Sequence, residues 1–430
     1  MFSTCKTGYR SLSPAQASIW RSEVLHRHTS RWTQVTLVSL VGVVDPNRLE
    51  QAIQAVIKCN AALRTKVHVR QGQAFQSFES NEYFELVKHD DPMSASERPA
   101  AVAEFLREAV QDRFSLYDSP LFRADLLTFS CLDHLLVLRL HHLAADGIAI
   151  ALIVSQIAAS YRGEWLSLEA GLAYERWLDR GGGSVSQDGI HAALAFYAQE
   201  LKGATRHHVS LYDQPGGKPS IDPPNLPEVT HTLDARICEA LKTVARANGA
   251  TLFIVIFAAF GAVLRTAVCS SDLVVATFVS GRSGEHEPIV GSCINTLLVR
   301  LRLDDLTTAA DLIAAVKTGW RPVRRHQSAP LMLVSDAAGG SLPAAQFAIN
   351  YLDMAEAPFE LPGVVSTVTH AQQGFPLNDL LLYALREQDG QLRLRLIVGS
   401  GTARLSQIRI ASLLDNLVRL LQSWVPDLKG

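Results

Sequence analysis

Leu135-Leu136-Val137-Leu138-Arg139-Leu140 runs directly into His141-His142-Leu143-Ala144-Ala145-Asp146-Gly147, and the reading of this stretch decides the fold. The first six residues are apolar enough for a buried strand. A second strand, Leu121 to Phe129, precedes them across a short polar turn. After Gly147 the pattern becomes helical through about Tyr161. Strand, short loop and helix bring loop side chains and helix-end amides to one place. Side chains alternate in direction as a strand ends, so His141 and His142 cannot both face one cavity in the same way. One of them is free to be structural while the other meets a substrate. Imidazole titrates near neutrality and can accept a proton there. Asp146 stands where the helix begins, and Gly147 leaves a backbone amide approachable at the positive helix end. A base beside an amide donor suits acyl transfer, in which a nucleophile loses a proton and a carbonyl oxygen gains charge.

Working outward, Thr36 to Val44 reads as a buried strand and Asp45-Pro46 as the cap and first position of a helix to about Asn60. Strands at Arg64 to Arg70 and Ala74 to Phe78 follow, then a helix at Ala100 to Asp112. Gly181-Gly182-Gly183-Ser184 reads as a flexible connector. Beyond the irregular stretch Asp213 to Pro227 the alternation restarts. Strands are expected near Val229 to Leu233, Leu273 to Val279, Asn295 to Leu303, Gln346 to Tyr351, Leu380 to Ala384 and Leu392 to Val398. Helices are expected from Ala235 and from Thr251, near Thr307 to Val323, and from Ser406 to Trp424. The expectation is an α/β (α+β) protein of two lobes, 1–180 and 188–430, with 181–187 as connector.

Composition narrows the function. The chain has 430 residues, 48% of them hydrophobic and 19% charged, which describes a globular protein with a large core. A formal net charge of −2 offers no basic field for nucleic acid. The apolar run Thr251 to Leu264 is too short for a membrane span, and the first ten residues carry no secretory core. No membrane association is expected, and the six scattered cysteines suggest a cytoplasmic protein. His142 and Asp146 have no third ligand or HExxH pattern nearby, so no metal site is expected. His207-His208 lacks a following Asp-Gly and reads as structural. Trp320-Arg321, Arg324 and Arg325 form a small basic cluster that reads first as a solvated helix end and second as a contact for an acidic carrier protein.

The segment HHLAADG resembles the HHxxxDG signature of the condensation-domain superfamily of nonribosomal peptide assembly lines. Further segments resemble that family in order along the chain. Ser13-Pro14-Ala15-Gln16 with Ile19-Trp20 is similar to its SxAQxRLW opening, and Leu63-Arg64-Thr65 to the end of RHExLRTxF. Tyr174 to Trp177 is similar to its YxDYAVW segment. Gly281-Arg282 with Ile289 to Thr296 is similar to GR…IVGxFVNT, and His326-Gln327 with Pro330 to HQxxPxE without its acidic residue. The closing RDxSRNPLF motif is barely recognisable near Pro343.

The resemblance implies two chloramphenicol-acetyltransferase-like lobes in a V-shaped pseudo-dimer, with a tunnel between them. It implies that His142 and Gly147 are the catalytic positions, and that His141, Asp146, Arg282 and Arg64 are structural. Arg282 is the first candidate to pair with Asp146 and Arg64 the second. Ile148, Ser280 and Asn295 are expected in the substrate tunnel. No bound cofactor is implied. The phosphopantetheine arm of an acyl or peptidyl carrier protein delivers the acyl group, and the acceptor is a small molecule or carrier-bound.

The function expected is that of a monomeric, free-standing condensation enzyme forming an amide or an ester, with chain release as one form of it. Two alternatives stand beside it. One is a polyketide-associated or acyl-CoA-dependent O-acyltransferase. The other is an inactive condensation-like recruitment module.

Overall fold

The computed structural model describes residues 8–25, 32–80, 84–90, 94, 96–118, 120–183, 186–204, 213, 228–282, 288–331, 333–334, 346–353, 359–370, 378–387, 389–399 and 405–425. They form a mixed α/β protein of two units. The first comprises Met1–Ser184, Ser280–Ile294 and Glu356–Phe375, and the second Val185–Val279, Asn295–Ala355 and Pro376–Gly430.

A five-stranded sheet supports the first unit, in the order Val365–His370, Thr33–Val41, Asp133–His141, Phe122–Ser130, Val87–Asp90. The strand ending at His141 is central, and its register sets Thr33 opposite His141 and Ser39 opposite Leu135. Even-numbered positions such as Val38, Leu40, Leu136, Leu138 and Leu140 face one core, which the helices Pro46–Cys59 and Gly147–Arg162 cover. Odd-numbered Val35, Leu135 and Val137 face a second, smaller cluster. The period-2 alternation of a sheet buried on both faces explains why the strand reads as a continuous apolar run. The helix Pro46–Cys59 begins as expected: the Asp45 side chain accepts from the Asn47 and Arg48 amides, with Pro46 in the first turn.

The second unit holds a six-stranded sheet ordered Ile294–Arg302, Asp272–Ser280, Phe347–Leu352, Leu380–Arg386, Leu392–Val398, Glu228–Leu233. Its middle is parallel, since Phe347–Leu352 pairs in parallel with both Asp272–Ser280 and Leu380–Arg386. Four helices, Ala235–Ala247, Leu252–Val268, Ala309–Arg325 and Gln407–Ser423, contribute to its core. Leu252–Val268 is buried on nearly every side, which accounts for its apolar sequence. No single helix among the described residues is long and apolar enough to cross a membrane.

Several features differ from the sequence reading. Residues 188–430 do not form one contiguous unit, because 280–294 and 356–375 belong to the first. The strand Val365–His370 pairs antiparallel with Thr33–Val41, Val365 opposite Val41, and such distant pairing leaves no local signal. The glycines at 181–183 form a turn within the expected connector, just before the first unit gives way to the second between Ser184 and Val185. Their φ angles are 103, 57 and 81°, in the region that side chains avoid. A Cβ on Gly182 would lie 3.2 Å from that of Ser13. Finally, a helix, Gln187–Glu200, follows directly on the expected connector and starts on a Ser186 cap bonded to the Gly189 amide. His207-His208 and Pro343 lie outside the described residues.

Candidate active site

The strand Asp133–His141 delivers two histidines to different surroundings. The His141 ring is 2% exposed and its Nδ1 accepts from the Leu143 amide at 3.1 Å. That contact places the ring proton on Nε2, which points at Glu23 Oε1, 3.4 Å away. Phe114 meets the same ring edge-on. His141 is therefore a fixed structural element that turns the chain, aided by its carbonyl accepting from the Ala144 amide.

His142 differs. It is half-buried, and its amide donates to the Trp32 carbonyl at 2.8 Å. The Trp32 ring stands edge-to-face against its imidazole, centroids 5.7 Å apart. Nδ1 is buried and has no hydrogen-bond partner among the described residues. Burial holds the imidazole below its ordinary protonation range, an effect that its own backbone and the Asp146 charge oppose and that His141 reinforces. The ring is thus neutral at physiological pH.

The loop between His142 and the helix is held from several sides. Asp146 caps the helix Gly147–Arg162 by accepting from the Ala149 amide at 2.9 Å. Its two oxygens also take the Arg282 guanidinium in a fork, both contacts 2.8 Å. Oδ2 accepts in addition from the Cys293 amide at 2.9 Å. Both side chains of the pair are about as buried as the core, 5% and 3% exposed. Arg282 donates further to the Ile289 and Gly291 carbonyls. The guanidinium is fully engaged, and burial of such a pair is tolerable only with that degree of satisfaction. The carbonyls of the loop are held too: Gln16 Nε2 donates to Leu143 at 3.1 Å and Gln34 Nε2 to Ala145 at 2.6 Å.

Around this loop the other family-like segments assemble. Gln16 and Gln76 exchange amide hydrogen bonds. Tyr174 stacks on Trp177, and Trp177 Nε1 donates to the Gly281 carbonyl at 3.0 Å. Gly291 lies so close that a Cβ would come within 2.2 Å of the Tyr174 ring, and one on Gly281 within 2.6 Å of the Cys293 carbonyl. The motif residues outside His142 and Gly147 are thus chiefly the scaffold that fixes the loop.

Gly147 itself is different: a Cβ there meets nothing within 4 Å. No packing demand explains the glycine, and the space above it is open. Ile148 beside it is half-buried. Ser280 is exposed, with its hydroxyl accepting from Arg282.

Arg64 does not approach Asp146; its Nη1 donates to the Glu79 carbonyl, because it ends a short helical turn that leads into the strand paired with Gln73–Phe78. Asn295 belongs to the second unit, where its amide donates to the Gln327 and Ala329 carbonyls and its oxygen accepts from the Thr296 amide. It anchors the segment after the helix Ala309–Arg325. Sequence reasoning missed Gln34, Trp32 and Glu23. A long amide side chain at Gln34, within a strand of short polar and apolar residues, was the available signal. Among the described residues no group of three or more His, Cys, Asp or Glu side chains is arranged to hold a metal.

The mixed α/β architecture matches solved condensation-domain structures, which share a chloramphenicol-acetyltransferase-like fold. The condensation-domain family model matches residues 6–353, and the chain belongs to that family. Bacitracin synthase 1 of Bacillus licheniformis is 23% identical over 424 residues, 96% of this chain. The match spans only 8% of that synthase's length. Among solved structures, the first condensation domain of the calcium-dependent antibiotic synthetase, in complex with a substrate analogue, superposes with a TM-score of 0.78 at 18% identity. The alignment covers 99% of this chain and 98% of that one. SgcC5 protein from Streptomyces globisporus, in complex with (R)-(-)-1-(2-naphthyl)-1,2-ethanediol and sucrose, superposes with a TM-score of 0.73 at 22% identity. That alignment covers 96% and 98% of the two chains.

Proposed function

We propose that the chain is a catalytically active condensation enzyme. It would move an acyl group from the phosphopantetheine thioester of a carrier protein to an amine or hydroxyl acceptor. The observation that carries this reading is the setting of His142: half-buried, its amide fixed on the Trp32 carbonyl, and its ring Nδ1 without a hydrogen-bond partner among the described residues, while burial holds its protonation range low. A neutral imidazole in that state takes the acceptor's proton as the nucleophile attacks the thioester carbonyl. The new C–N or C–O bond forms, the C–S bond breaks, and the proton leaves with the thiol. Gly147, with open space at its α-carbon and its place in the first helical turn, supplies room and a positive end for the oxygen that becomes negative. His141, Asp146 and Arg282 hold this geometry rather than touch substrate.

A hydroxyl acceptor, giving an ester, is supported by the diol bound in SgcC5 and by the small isoleucine side chain at position 148. The test is direct. The purified chain is incubated with an acyl-loaded carrier protein and with amine and alcohol acceptors, and products are read by mass spectrometry. Acyl transfer from the carrier protein supports the reading, and the product bond names the acceptor class. Efficient turnover of acyl-CoA with none of the carrier-bound donor would replace it by a coenzyme A-dependent O-acyltransferase. Stable capture of a protein partner with no transfer to any acceptor would replace it by a recruitment module.

A further inference from the structure

Gln34 sits on the strand Thr33–Val41 and is 2% exposed. The register pairs Thr33 with His141 and Gln34 with Leu140. Paired residues of adjacent strands project to the same face, and alternate residues share a face. Gln34 and Leu140 therefore project to one face of the sheet, and just beyond the ends of the two strands Trp32 and His142 meet through their rings and a backbone hydrogen bond. Diagonal positions such as 34 and 142 lie about 7–8 Å apart between backbones, within reach of a long side chain.

The amide of Gln34 is only half used. Nε2 donates to the Ala145 carbonyl at 2.6 Å, an orientation the carbonyl dictates, since it accepts only from a donor. Oε1 is buried and has no partner among the described residues. A buried amide oxygen without a donor is costly, and such groups are kept where they have a task. One residue past the end of the neighbouring strand, His142 Nδ1 is likewise buried and without a partner among the described residues, so the two atoms are not hydrogen-bonded to each other in this resting geometry. One group is an acceptor only. The other becomes a donor whenever the imidazole holds two protons.

We propose that Gln34 is a positioning residue for His142: its nitrogen fixes the loop through Ala145, and its oxygen stabilises the imidazole ring in the doubly protonated form reached during transfer. This rests on His142 being the proton acceptor of the reaction. The contribution appears only after the nucleophile's proton has moved, so it acts on kcat rather than on substrate binding.

The test compares Gln34→Met, which keeps the side chain's shape and removes both polar atoms, with Gln34→Glu. Gln34→Met should lower kcat on the order of tenfold with KM within about twofold, in line with partners that orient a reacting histidine. It should also move the acid limb of the pH–rate profile to lower pH, while Gln34→Glu moves it to higher pH. A merely structural glutamine would lower the melting temperature and leave both the limb and kcat of the folded enzyme where they were; that result overturns the proposal. The imidazole titration of His142, followed by NMR and assigned with a His142→Gln variant, separates this from the reading of the site. If His142→Ala keeps full activity, the reading of the site fails. A His142 titration that does not move between the parent and both Gln34 variants rejects the coupling itself.

Discussion

Asp146→Ala is the perturbation whose size the structure allows to be worked out. The carboxylate accepts from Arg282 twice, from the Ala149 amide and from the Cys293 amide. Removing it leaves a guanidinium that is 5% exposed, whose remaining partners among the described residues are carbonyl oxygens and the Ser280 hydroxyl. Breaking a buried pair from one side costs about 3–5 kcal/mol, because the remaining charge is uncompensated. Loss of the helix cap adds about 1 kcal/mol, partly shared with the first cost. About 4 kcal/mol is a large fraction of a domain's total stability. For a unit of roughly 200 residues, each kcal/mol moves the melting temperature by about 2–4 °C. The first unit should therefore melt about 8–16 °C lower, with poor soluble yield. Asp146→Asn keeps the acceptor for the helix cap and loses the charge, so it should fall between the parent and the alanine variant. Thermal unfolding followed by circular dichroism measures both. An Asp146→Ala protein that folds well and melts within about 2 °C of the parent would refute the argument that this pair fixes the loop.

Further expectations follow from the same geometry. Gly147→Ala should leave the melting temperature unchanged or slightly raised, since a Cβ meets nothing there and alanine is the better helix former; steady-state kinetics should nonetheless show a loss in kcat/KM. Gly291→Ala should do the reverse, collapsing stability through its clash with the Tyr174 ring, as read by soluble expression and melting. The lowered protonation range of His142 predicts that kcat/KM stays level as pH falls through about 6.5 and drops only below it. The sign for stability is the same: a ring whose folded pKa is depressed contributes fully above its unfolded value, and its contribution is lost as acid protonates it. Melting temperatures taken from about pH 8 down to about pH 5 would show this, and a His142→Gln variant should lack that part of the slope.

Much of the local architecture was legible because caps and periodicity act over a few residues. The Asp45-Pro46 start and the spacing of Leu49, Ala52, Ile53, Val56 and Ile57 announce a helix, and the structure buries those residues. The apolar run before His141 and the helix after Gly147 were equally plain. What escaped the reading depends on contacts between distant residues. Nothing near Val365 indicates that it lies opposite Val41. Nothing near Arg282 indicates that it reaches Asp146; the resemblance, not spacing, ranked that pairing first. The run Gly181-Gly182-Gly183 marks the junction of the two units, but glycine signals both slack chain and positive φ, and composition does not separate them. The Ser186 cap and the helix behind it went unread for the same reason.

In the function proposed above, His142 and no other group of the loop accepts the proton during acyl transfer. The decisive measurement is single-turnover transfer from an acyl-loaded carrier protein by His142→Ala, paired with its melting curve. The account predicts loss of transfer by at least about a hundredfold, the scale of a missing general base, in a protein that melts like its parent. Transfer at the parental rate by a well-folded His142→Ala protein would contradict it.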